Sequence, residues 1–370
     1  MVHKLWLFLA LIFCLSGCWD QEEVSKRALV LAMGLDQAAE GKIKVSLQIP
    51  IVEELLIVPS GAAVSAKPFA LVSAEGSSAF ATVPGLNAKT QTSLFFGQIQ
   101  TVFINTELAR KGLTGPTDFL RRHPTVPPQA FLLLTERPAH EMLEVRLISK
   151  RIPSYSTVTF FHSNNKKDQV FPQRIWEFNR NIRSQTQDAF IPLIEYDTKE
   201  ETFIIKGLGV FDGDRLAGIL SGEETRMVGL LTGKTRNAYL SIPTERFGRI
   251  TFRKVTAAPR TKIEHNGHQL LFRFHVNAQG FLVESTRGIT RFTPEDLEWI
   301  QTKTALYLNR EIKKAVQRLQ ALNSDILALG EKYRAHYPRK WDPANWKLLY
   351  SEAKIEVSVK FTVTRNGTML

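Results

Sequence analysis

Residues 251–276 read TFRKVTAAPRTKIEHNGHQLLFRFHV, and this stretch decides the fold class. Thr251–Thr256, Lys262–His265 and Leu270–Val276 read as strands, and Asn266-Gly267 between the last two is a type I′ turn dipeptide, which specifies an antiparallel hairpin. Toward the C-terminus, Thr293-Pro294-Glu295-Asp296 opens a helix. Thr293 serves as N-cap, Pro294 takes the first helical position, and two carboxylates face the positive end of the helix dipole. The helix is expected to run to about Leu322, with Ile300, Leu308, Ile312, Val316 and Leu319 as its buried stripe. Lys354–Thr364 then alternates Ile355, Val357, Val359, Phe361 and Val363 against polar residues, the pattern of a half-buried strand. Toward the N-terminus, Phe203–Ile205, Gly209–Phe211 and Leu216–Leu220 are short apolar runs between Gly and Asp turns. This half is therefore α+β with antiparallel pairing.

The first half mixes its signals. Ala28–Leu35 is a continuous apolar run; after a turn at Asp36–Gly41, Ile43, Val45, Leu47, Ile49 and Ile51 alternate, so the two form a hairpin. Pro50, Pro59 and Gly61 break that pattern, and Ser73–Thr92 is rich in small residues, a poor helix or loop. Gln100–Ile104 and Ala130–Leu134 read as strands, Glu107–Lys111 and Thr117–Arg122 as short helices stopped by Gly112 and Pro124. Ala139–Ile148 has the spacing of an amphipathic helix, and Pro153–Asp168 reads as a surface loop or the approach to a linker. With 370 residues and roughly 100–200 residues per domain, the expectation is a multi-domain α+β protein with mixed and antiparallel sheets, packed helices and a long helix near the C-terminus. Its parts are 1–17, 18–198 (itself open to division in two) and 199–370.

Residues 1–17 read as a signal peptide. Lys4 supplies a charge, Leu5–Phe13 is an unbroken apolar run too short to span a membrane, and Asp20, Gln21, Glu22 and Glu23 follow soon after. Leu15-Ser16-Gly17-Cys18 is a lipobox: a branched apolar residue, two small residues suited to a peptidase site, and a thiol that accepts diacylglycerol. Cys18 is thus the expected lipid attachment site, S-diacylglycerol with or without an added N-acyl chain such as palmitate. Two chains anchor stably where one anchors marginally. The chain has two cysteines, Cys14 and Cys18. Cleavage and acylation leave neither for a disulfide or a thiolate metal site.

Forty-eight Lys and Arg against 36 Asp and Glu give a net charge of +12, which favours an anionic neighbour. Export removes nucleic acid from consideration and leaves lipid headgroups, a wall polymer or a plainly solvated basic surface. Chemistry-bearing constellations are sparse. Gly207-Leu208-Gly209 with Gly213 lacks the spacing and following helix of a dinucleotide loop. His265, His268 and His275 are close in sequence but sit on alternating strand faces, unsuited to one metal. Glu223-Glu224 has no accompanying nucleophile or oxyanion donors. Trp341 and Trp346, with Tyr337 and Pro338, form either an interface cluster or the cap of the last core. No catalytic residue, cofactor or metal is expected.

With these pieces placed, the chain resembles the C-subunit lipoproteins of spore-germination nutrient receptors, the Ger(x)C family. The resemblance spans the chain from Cys18. It rests on Gly17-Cys18-Trp19-Asp20 with Glu22 or Glu23, Gly34-Leu35-Asp36 and Glu107-Leu108-Ala109-Arg110-Lys111-Gly112-Leu113. It continues through Gly207-Leu208-Gly209-Val210-Phe211, Leu216-Ala217-Gly218-Ile219-Leu220 and Glu223-Glu224-Thr225. Glu284, Asp325-Ile326, Leu329-Gly330, Pro338 and Trp341 complete it. Gln98 in place of a histidine, the Pro124–Pro128 stretch and a short Trp341-to-Trp346 spacing depart from the pattern. The resemblance implies a non-enzymatic, lipid-anchored subunit on the outer face of the spore inner membrane. It implies two partners, a polytopic transporter-like subunit and a subunit with a large soluble domain, in a complex that responds to nutrients and triggers germination. This subunit would serve assembly or signalling, and only Cys18 carries over as a functional position. The alternative, a substrate-binding lipoprotein of a transporter, requires two doubly wound lobes around a cleft; a wall hydrolase requires paired carboxylates or a metal.

Overall fold

Phe131–Thr135 (β7) is apolar through four successive positions and buried at all five, as a strand covered on both faces must be. It lies inside an eight-stranded sheet. The computed structural model describes residues 27–51, 68–148, 152–162, 171–235, 238–266, 269–289 and 291–366. β1 is Arg27–Leu29, β2 Ala32–Gln37, β3 Ile43–Pro50, β4 Phe69–Gly76, β5 Ser93–Phe95, β6 Thr101–Asn105, β8 Phe190–Asp197, β9 Thr202–Asp212 and β10 Arg215–Ser221. The large sheet runs β10-β9-β8-β7-β6-β2-β3-β4, and β1 pairs separately with β5. Its centre, β2, β6, β7 and β8, is parallel, while both flanks are antiparallel hairpins.

Each face of this sheet carries its own core. Met33, Leu35, Val102, Ile104, Leu132 and Leu134 point one way, onto α1 (Ala79–Asn87), α2 (Thr106–Lys111), α3 (Asp118–Arg122) and α6 (Ile175–Asn181). Ala32, Phe103 and Leu133, one residue out of phase, point the other way, onto α4 (Ala139–Met142) and α5 (Pro153–His162).

The second sheet runs β11-β12-β13-β14, with β11 Ala238–Thr244, β12 Gly248–Asn266, β13 Gln269–Ser285 and β14 Lys354–Asn366. Burial alternates along β13, so one face is covered and the other is wet. The covering layer is α7 (Gly222–Thr232), α8 (Pro294–Ala321), α9 (Leu329–His336) and α10 (Pro343–Glu352). Ile300, Leu308, Ile312, Val316 and Leu319 of α8 are fully buried. Thr293 and Asp296 exchange capping-box hydrogen bonds at 3.0 and 3.2 Å.

The α+β class, the long C-terminal helix, both principal hairpins and the short helices after β6 match the sequence expectations. Gly267 and His268 at the second hairpin's tip lie outside the described residues, as do 1–26 with Cys14 and Cys18. Four expectations are corrected. Pro153–His162 is a helix, because its packed side includes Ser154, Thr157 and Phe161 and the polar members hide the periodicity: Ser154 Oγ bonds Gln48 Oε1 at 2.9 Å and Thr157 Oγ1 meets Thr101 Oγ1 at 2.5 Å. Ala139–Ile148 is helical only to Met142, after which the Leu143 carbonyl turns to accept the Gln48 amide at 2.7 Å. Ser73–Thr92 contains the end of β4 and the helix α1, capped by Ser78. β14 joins β13 in parallel, since α8, α9 and α10 carry the chain back to the starting end of β13.

The 198/199 division falls in the turn between β8 and β9, two adjacent strands of the larger sheet.

Candidate functional site

Segment 184–190 runs directly into β8, and segment 323–331 links α8 to α9. The two are laced together: Asp188 N–H donates to the Asp325 carbonyl at 3.0 Å and Glu331 N–H to the Thr186 carbonyl at 3.1 Å. Side chains complete the seam. Asp188 Oδ2 accepts from Asp325 N–H at 2.7 Å and from Lys347 Nζ at 2.6 Å. Lys347 on α10 also reaches Asp212 at 2.8 Å. Asp325 is fully buried and accepts from the Leu329 and Gly330 N–H groups at 2.9 and 2.8 Å, capping α9. Gly330 is required here, because a Cβ would come within 2.8 Å of the Trp346 ring and 2.7 Å of the Thr186 carbonyl. Burial pushes the Asp325 carboxyl up to about 7, reinforced by the Asp188 charge and opposed by the two N–H bonds and Lys347.

Beside the seam lies an open cleft of about 450 Å³, walled by α6, the end of α7, β12 and residues 326–332. Gln173, Arg180, Asp188, Phe190, Lys234 and Lys332 are among the residues on its walls. Desolvation holds the Lys332 ammonium below the usual lysine range.

The residues singled out in the sequence do not converge on a catalytic centre. Cys18 lies outside the described residues. Glu224 forms a capping box with Ser221 at the start of α7, and Glu223 accepts the Tyr307 hydroxyl. His265 Nδ1 meets the Tyr333 hydroxyl at 2.8 Å. His275 stands opposite Arg260, whereas His265 stands opposite Leu270. Among the described residues no group of three His, Cys, Asp or Glu side chains is placed to hold a metal. Trp346 is a core residue stacked on Tyr333 at 5.6 Å, with the half-buried Trp341 tilted against it.

Several residues of the resemblance motifs turn out to be packing devices. Asp36 accepts the Ala139 and His140 N–H groups at 2.5 and 3.0 Å and caps α4. At Gly34 a Cβ would approach the Ala139 carbonyl carbon to 3.1 Å. A Cβ at Gly207 would strike the Leu220 carbonyl, and one at Gly209 the Leu134 side chain. Sequence reasoning marked Asp325, Leu329 and Gly330 but missed Asp188, Lys347 and the cations of the cleft. Asp188, lying between polar residues and Ala189-Phe190, offered no pattern that reveals a partner 137 residues away.

Comparison with known proteins gives a consistent result. A family model described as the spore germination protein N-terminal domain matches residues 20–196. One described as spore germination B3/GerAC-like, C-terminal, matches residues 206–367. Spore germination protein GerQC of Bacillus cereus is 21% identical, covering 98% of this chain and 99% of its own. Spore germination protein KC of Bacillus subtilis is 22% identical over 98% and 95%. The crystal structure of the GerBC protein aligns over 90% of this chain and 96% of its own, with a TM-score of 0.58 and 17% identity, a likeness of fold.

Proposed function

Because the chain belongs to the spore germination B3/GerAC-like family, we propose that it is the lipid-anchored subunit of a nutrient germinant receptor, held through Cys18 on the outer face of the spore inner membrane. The observation that carries this reading is the match of both family models, in order, over most of the chain. The lipobox Leu15-Ser16-Gly17-Cys18 supports the anchor. Among the described residues no helix is long and apolar enough to cross a membrane, in keeping with attachment by lipid.

In this reading the partners are the membrane lipid, a polytopic receptor subunit and a subunit with a large soluble domain. The chain contributes to assembly or signalling and performs no catalysis. The reading keeps 18–198 and 199–370 as two sequence units, with β9 and β10 of the second extending the sheet of the first. The transporter-binding alternative finds no support in the topology: the second sheet, three antiparallel strands with one parallel edge strand, is not a doubly wound lobe.

The deciding experiment is a pull-down of the tagged chain from detergent-solubilised dormant-spore membranes, beside Cys18→Ala, with mass spectrometry of what co-purifies. Polytopic germination-receptor subunits are expected with the wild type and are expected to be lost with the variant. Importer permeases, or no partner at all, would overturn the proposal.

A further inference from the structure

Charges around the 450 Å³ cleft are unevenly satisfied. Its two acids are engaged: Glu177 accepts the Arg174 backbone N–H at 3.0 Å, and Asp188 holds Lys347, the Asp325 N–H and, at 3.2 Å, the Gly213 N–H. Its three cations have no carboxylate within ion-pair distance among the described residues. Arg180 bonds the Asn181 side-chain oxygen at 3.1 Å and lies over the Trp176 ring. Lys234 sits 6.0 and 5.9 Å from the Phe171 and Phe190 ring centres. Lys332 donates to the Thr261 hydroxyl at 3.1 Å.

A second, independent observation concerns Gln173 in the same wall. It is 1% exposed, and its side-chain Nε2 is buried with no hydrogen-bond partner, an arrangement that is costly unless something else supplies an acceptor. Ala328, also in the wall, is held at φ 53°, a conformation that L-residues adopt at a cost and that concentrates at binding sites. Phe190, Leu231 and Phe274 add an apolar side. A buried donor without an acceptor, cations without counter-charges and an aromatic wall share one complement.

We propose that this cleft binds a small organic anion, its carboxylate or phosphate held among Arg180, Lys234 and Lys332 and its apolar body set against Phe190 and Phe274. Such a group supplies the counter-charge and the acceptors that the walls lack. The site lies where α6, α7, β12 and the α8–α9 connection meet, so occupancy braces the two sequence units against each other.

The test is thermal unfolding of the full chain in detergent, titrated with succinate and with inorganic phosphate against sodium chloride of matched ionic strength. A saturable rise in Tm with at least one probe is expected for the wild type. The apparent Kd should weaken at least tenfold in Lys234→Met and Lys332→Met and stay unchanged in Lys313→Met, an exposed position on α8. No rise beyond the salt control, or an equal rise in the two cleft variants, would overturn the site. A competition arm separates soluble anion from lipid: displacement of the probe by phosphatidylglycerol added to the detergent micelles, but not by phosphatidylcholine, would overturn the small molecule in favour of a headgroup.

Discussion

Asp325 shows how one buried acid makes a seam sensitive to pH. Its carboxyl titrates near 7 in the folded chain because burial penalises the charge, whereas an unfolded aspartate titrates near 4. Between about pH 4 and 7 the folded chain keeps a proton that the unfolded chain has lost, so stability falls as pH rises through that window. Three pKa units correspond to at most about 4 kcal/mol. Urea unfolding of the wild type is expected to show a declining midpoint from pH 5 to 8, and Asp325→Asn a flatter profile over that range. Parallel profiles for the two proteins would remove Asp325 as the source. Lys347 sits on the other side of the balance, its ammonium meeting Asp188 and Asp212 at 2.6 and 2.8 Å. Half of this cluster was legible in the sequence: Asp325, Leu329 and Gly330 belong to a recognisable motif. Asp188 and Lys347 are bound to it only by tertiary approach, and no spacing announces that.

Helix α8 is the element on which the second core is built. Its stripe packs against β14 and α7, and Leu308 at its middle is 0% exposed. Leu308→Ala is expected to cost about 2–5 kcal/mol, read as a lower urea midpoint with an unchanged slope; a loss under 1 kcal/mol would mean that the layer collapses around the gap. This helix, the hairpins and β7 were readable because apolar residues repeat with the period of the element and capping residues mark its start. α5 was not, since its packed face is partly Ser and Thr whose hydroxyls bond Gln48 and Thr101, and hydropathy cannot see a core held by hydrogen bonds. β4 carries Ala, Ser and Gly at its end beneath α1, small residues whose reason is the nearness of the helix: a Cβ at Gly76 would lie 3.1 Å from Thr82.

At the scale of the molecule the two sequence units are interlocked. β9 and β10 extend the first sheet, and segment 184–190 is stitched to 323–331. Residues 20–198 and 199–366 expressed separately are therefore expected to lack cooperative unfolding and amide-exchange protection, each exposing an unpaired edge at β8 or β9; a cooperative transition in either piece alone would show that the seam is dispensable. The pairing of β14 with β13 has a further consequence, in time rather than space. Leu271 pairs with Lys354, so the strand that closes the second sheet is made only after α8, α9 and α10, and all three must be in hand before it docks. A chain emerging N-terminus first holds its second core open until β14 has been made, and contacts so distant in sequence form slowly. For that interval β13 presents a bare edge, and shielding it falls to whatever accompanies the nascent chain.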